Sequence, residues 1–174
     1  MKKKKIFLWL AIILIAIHGY FQLISSNTII LNHEVFINNT PEKVWQVLND
    51  IEAVEKYNPQ VAIATCISTS KEGVNSSREC KMKDSSSVKE KITLIEPNKA
   101  ITMELYESSW PVQNMQWRTA IEPKENGTLV TQKLEYKVKY GAFDAILNTL
   151  MMKNKMDASL KEVFAGLKKY SETK

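Results

Sequence analysis

Residues 143–170 contain no proline and a single glycine, Gly166. Apolar residues fall at Phe143, Ile146, Leu147, Leu150 and Met151, then at Leu160, Val163, Phe164 and Leu167. Steps of three and four residues are the helical period. Asp144 stands in the first turn and Lys168 and Lys169 in the last, which is the arrangement a helix dipole favours. At ~1.5 Å per residue such a helix runs about 40 Å. It cannot leave an apolar face of that length in water. Residues 32–139 read mostly as strand, so the pattern predicts a curved sheet wrapped around this helix. At ~100° per residue the apolar stripes of its two halves point about 100° apart. Either the helix bends near residues 153–157, or its first half lids a cavity while its second half packs on the sheet.

The strands are marked by alternation and by the turns between them. Residues 33–37 alternate and are rich in branched and aromatic side chains. Thr40 then offers a cap and Pro41 takes the first helical position, opening a helix whose inner face is Val44, Trp45, Val47, Leu48 and Ile51. A second short helix over 51–57 stops at Asn58-Pro59, because the residue before proline avoids the helical region. Strands follow over 61–68, 77–83, 88–95, 100–107, 115–121 and 128–140, with residues 108–114 left as a loop. Short loops between consecutive strands imply an antiparallel meander. The expectation is an α+β fold, a seven-stranded antiparallel sheet with two short helices after its first strand and one long helix at the C-terminus.

Ahead of this lie Lys2, Lys3, Lys4 and Lys5, then an apolar run from Ile6 to Ile17 that continues, diluted by His18, Gly19 and Gln22, to Ile24. Nineteen helical residues reach about 28 Å, close to a hydrocarbon core. The strictly apolar part is shorter and also suits a signal peptide, although no small-x-small cleavage site follows it. Residues 1–25 are therefore expected to be a membrane anchor or a signal peptide, with the lysines cytoplasmic and the domain extracytoplasmic. As an anchor they make a single-pass membrane protein that contacts the bilayer through residues 6–24. Residues 26–32 read as a linker and 33–174 as the domain.

Those lysines also explain the formal charge of +5; without them 20 basic residues face 19 acidic ones. Arg78 and Arg118 are the only arginines, which leaves no electrostatic footprint for nucleic acid. There is no Ser-His-Asp order, no Cys-His pair and no phosphate-binding glycine loop. Nor is there a ligand cluster for a metal, and no cofactor is implied. Cys66 and Cys80 lie equally far from Gly73 on consecutive strands, so a simple hairpin sets them opposite each other within disulfide reach. A one-residue slip sends them to opposite faces.

Several residues carry a family resemblance: Ile37, the run Pro41-Glu42-Lys43-Val44-Trp45, Leu48, Asp50, Tyr57-Asn58-Pro59, Glu96-Pro97 and Gly127-Thr128. In these and in its element order the chain resembles the polyketide cyclase/dehydrase and lipid-transport family, within the START-like helix-grip (SRPBCC) superfamily. It departs in having Tyr57 where the family usually has Trp, in a hairpin reduced to Gly73, and in the N-terminal segment. The resemblance implies a cavity between sheet and long helix that binds a hydrophobic small molecule or lipid.

Alternation says which residues face that cavity. Met103 and Leu105 share a face with Ile101; Trp117 and Thr119 share one with Met115 and Ile121; Leu134 and Tyr136 share one with Val130, Gln132 and Val138. Phe143, Leu147 and Met151 are the helix contributions, with Met152 and Met156 as adaptable neighbours. A few polar tips in an apolar wall is how ligand sites are built; ordinary core packing produces the same pattern. Trp110 either touches a membrane, gates the cavity or folds back onto the domain. Arg78 either reaches the cavity to hold an acidic head group or lies on the surface. The alternatives to a binding protein are a cyclase-type enzyme, with Tyr136 as the candidate for proton transfer, and an interaction module with a vestigial cavity.

Overall fold

The structure, a computed structural model, describes residues 2–25, 28–139 and 142–174, with side chains over 6–20, 28–139 and 151–174. Helix α1 (Lys2–Ser25) leads into strand β1 (Ile29–Ile37), helices α2 (Pro41–Asn49) and α3 (Val54–Tyr57), and strands β2 (Val61–Cys66) and β3 (Ser77–Met82). Strands β4 (Ser87–Glu96), β5 (Ala100–Ser108), β6 (Val112–Lys124) and β7 (Gly127–Val138) follow, and helix α4 (Ala142–Ser171) closes the chain. The strands form one antiparallel seven-stranded sheet in the order β1-β7-β6-β5-β4-β3-β2. The chain thus runs as a meander from β2 to β7, and β1 returns to pair with β7.

Among the boundaries that differ from the sequence reading, two starts have a clear physical reason. Strand β1 begins at Ile29, because residues 29–32 extend the alternation and pair with β7; most of the expected linker is strand. Strand β6 begins at Val112, not at residue 115. A bulge between Val112 and Asn114 adds a residue and so breaks the alternation that would have revealed the strand. A second bulge, at Thr93 in β4, has the same effect on facing. Ile92 is buried before it, while after it Leu94 is exposed and Ile95 packs inward. Such bulges also add to the twist and bend of the sheet.

Thr40 occupies the N-cap position of α2, but its side chain makes no cap bond. Val44 and Val47 turn inward from that helix. Helix α4 touches β1 at one edge of the sheet, and it touches α3, which itself adjoins β2 at the other edge. The helix therefore spans the open side of the curved sheet. Among the described residues, Leu160, Phe164 and Leu167 are its buried apolar side chains. Two glycines permit close approaches. A β-carbon on Gly127 would collide with the Ile37 carbonyl and the Phe36 ring of β1, and one on Gly166 would collide with the backbone carbonyl of Tyr57 in α3.

Helix α1 lies against α4. Among the described residues no helix is long and apolar enough to cross a membrane, so the fold gives no support to a spanning segment.

Candidate ligand-binding site

The alternation of the sheet puts two rows of side chains beneath α4. On β6, Met115, Trp117 and Thr119 stand opposite Tyr136, Leu134 and Gln132 of β7. Between them and α4 is a cavity of about 120 Å³. Its sheet wall is made by Met115, Trp117, Thr119, Gln132 and Leu134, and β3 and β4 add Cys80, Met82 and Val88. Val54, Tyr57, Asn58 and Val61 close it from the α3 side, and Met156, Ser159, Leu160 and Val163 from α4. An apolar cavity of ~150 Å³ holds benzene, whereas drug-sized ligands occupy ~300–1,000 Å³. The space suits a group about the size of one ring.

One charged pair enters this wall. Arg78 of β3 is 6% exposed. Its Nε donates to Oε2 of Glu90 on β4 at 2.6 Å, its Nη2 lies 2.6 Å from the same oxygen, and its Nη1 donates to the Ile51 carbonyl at 2.9 Å. Of the two readings of Arg78, the structure selects the inward one. Burial opposes the guanidinium charge, but Glu90, then Cys80 and Tyr57, outweigh it and raise the pKa. Burial also raises the Tyr57 phenol, against the lowering effect of Arg78. The Cys80 thiol is pushed up to about 12, first by burial and then by Glu90, so it stays protonated and is a poor nucleophile. Sequence reasoning left Glu90 out of the site. The signal was present, since Val88, Glu90 and Ile92 share one parity on β4 and both neighbours are buried.

Of the residues expected to bind ligand, Trp117, Thr119 and Leu134 line the cavity. Met103 does not; it packs with Ile92 and Ile101 in a separate cluster. Leu105 and Tyr136 belong to the main core and are likewise away from the cavity wall. Tyr136 is 1% exposed and its hydroxyl has no hydrogen-bond partner. Burial pushes its phenol up to about 12, which keeps it neutral. The side chains of Phe143 and Leu147 lie outside the described residues. Met151 points outward at 59% exposure, because the helix turns Met152 and Met156 toward the core instead.

The expected disulfide is not formed. The register sets Cys66 against Arg78 and Cys80 against Ala64, which centres the hairpin on residue 72, not 73. The cysteines become diagonal neighbours, roughly 7–8 Å apart in sheet geometry, where a disulfide needs about 3.5–4.5 Å between β-carbons. Both are free.

Trp110, in the β5–β6 turn, folds back onto the domain. Its indole N–H donates to Ser86 Oγ at 3.2 Å. With Gln60, Met156 and Ser159 it lines both the cavity and a surface depression beyond, so these four residues mark the mouth. Among the described residues no group of three His, Cys, Asp or Glu side chains is placed to hold a metal.

Comparison with known proteins bears on what such a cavity is. Residues 28–172 match the family model described as polyketide cyclase / dehydrase and lipid transport. The chain belongs to this family. Among solved structures it is similar to the Zhui aromatase/cyclase of Streptomyces sp. R1128, at TM-score 0.73 and 12% identity, covering 84% of this chain and 94% of that one. It is similar to a Thermus thermophilus protein at TM-score 0.69 and 18% identity, covering 82% and 97%. A START superfamily protein of Mycobacterium smegmatis gives TM-score 0.66 at 15% identity, covering 83% and 97%. At these identities the likeness is one of fold. The comparison with curated proteins finds no match. Family and fold together fit a domain that binds hydrophobic ligands.

Proposed function

We propose that this protein binds a hydrophobic small molecule, or the ring or chain end of a lipid, in the cavity under α4. The observation that carries this reading is the cavity itself, a space of about 120 Å³ lined mainly by apolar side chains in the place where a helix-grip core could have been solid. Proteins pack their interiors densely, and voids larger than a water are few. Native mass spectrometry of the gently extracted chain tests it. The wild type is expected to retain an apolar molecule, and Ser159→Trp, which fills the mouth, is expected to lose most of it. Equal retention by the variant, or none by the wild type, counts against the reading.

The finer part of the proposal concerns location. Lys2, Lys3, Lys4 and Lys5 open α1, and Ile6, Phe7, Leu8 and Trp9 after them expose their apolar side chains. A basic cluster followed by exposed apolar surface supports attachment to a membrane through residues 6–24, with the lysines cytoplasmic and the domain extracytoplasmic. The full chain is then expected to stay with membranes through an alkaline carbonate wash, and a variant lacking residues 2–25 to be released. Release of both would remove the attachment.

A further inference from the structure

Among the described residues lining the cavity, Arg78 and Glu90 are the only ones with charged side chains. They sit 2.6 Å apart, so the plus of one is balanced by the minus of the other. Arg78 is not a vacant anchor for an acid. Each of its three nitrogens is already engaged, Nε and Nη2 by Glu90 and Nη1 by the Ile51 carbonyl. An incoming carboxylate would have to compete with Glu90 at close range, in a site with little water to screen the repulsion. The pair does offer something to a neutral ligand. The Arg78 contacts fall on Oε2 of Glu90. Glu90 lines the cavity, so its carboxylate can accept a further hydrogen bond from a ligand hydroxyl, and a charge-assisted bond of that kind is among the stronger ones. The cavity volume limits the partner to about one ring.

We propose that the Arg78–Glu90 pair makes this cavity selective for neutral, ring-sized apolar molecules bearing a hydroxyl, and that Glu90 excludes their carboxylate counterparts. The proposal rests on the reading of the cavity as a ligand site and specifies the ligand's charge. It differs from the simplest expectation for a buried arginine, which is to hold an acidic head group.

The test uses three probes of one skeleton: 4-ethylphenol, 4-ethylbenzoate and ethylbenzene. Each is titrated into the full chain in mild detergent at pH 7.5. The indole N–H resonances of Trp110 and Trp117, both in the cavity wall, report occupancy separately from partition into the micelle. 4-Ethylphenol is expected to bind at least tenfold more tightly than 4-ethylbenzoate, with ethylbenzene weaker than the phenol. In Glu90→Gln the unbalanced Arg78 should accept the acid, so 4-ethylbenzoate gains at least tenfold and raises the melting temperature of the variant more than that of the wild type. The wild-type order is decisive by itself should the variant not fold. Tightest binding of the benzoate, or affinities within threefold of one another, overturns the charge rule and leaves the site standing. No response at either indole to any probe removes the site and the rule together.

Discussion

Gly166→Ala is expected to destabilise the domain by about 1–3 kcal/mol, the range for forcing an extra methyl group into a well-packed contact. Helix propensity alone predicts the opposite sign, since alanine is better than glycine inside a helix by ~1 kcal/mol. The reversal comes from contact. The added methyl would meet the backbone carbonyl of Tyr57, and a backbone atom cannot swing aside as a side chain can. Either α4 lifts from α3 or α3 shifts on β2. Tyr57 also lines the cavity, so the displacement reaches the ligand site. Chemical denaturation of the variant and the wild type measures the effect. A variant as stable as the wild type, or more so, would show that the helix does not rest on α3 at this point.

A second large effect is expected at the buried ion pair. Arg78→Met leaves the Glu90 carboxylate in the wall without its partner, and losing one member of a buried pair costs about 3–5 kcal/mol. The double variant Arg78→Met/Glu90→Leu removes both charges and should recover most of that loss, because an apolar pair of similar volume often equals or exceeds a buried ion pair in stability. Some deficit should persist, because the Ile51 carbonyl also loses its donor. The coupling energy from the double-mutant cycle is the informative number. Near-additivity would mean that the two residues act independently and that Glu90 finds other partners. If the pair is kept although an apolar wall would be as stable, the reason lies in what it does to an occupant.

The fold was legible in the sequence because its determinants are local and periodic. Parity alone placed Ile101, Met103 and Leu105 on one inner face, and all three are buried. It also put Met115, Trp117, Thr119 and Ile121 on one face and Val130, Gln132, Leu134 and Tyr136 on another, both looking at the helix, and the register pairs the two sets one to one. The helical period of residues 143–170 was unambiguous for the same reason. The site was less legible, because facing inward is not the same as lining a void. Met103, Leu105 and Tyr136 have the right parity but are covered by neighbours, and only their depth in the sheet decides that. Arg78 and Glu90 were harder still. Each has inward parity, but a charged residue is rarely buried unless paired, and the partner lies on another strand. The cysteine pairing failed over a hairpin centre displaced by one residue, a distance no composition rule resolves.

The sheet order has a consequence for how the domain is made. Strand β1 leaves the ribosome before the other strands, yet its neighbour in the sheet is β7, whose Gly127–Val138 pairs with residues about a hundred positions earlier. Until that late segment arrives, β1 is an open edge with nothing to zip onto, and loop-closure entropy must be met before the pairing repays it. Assembly of this domain should therefore be a late, all-at-once event, with its opening strand waiting on nearly its last.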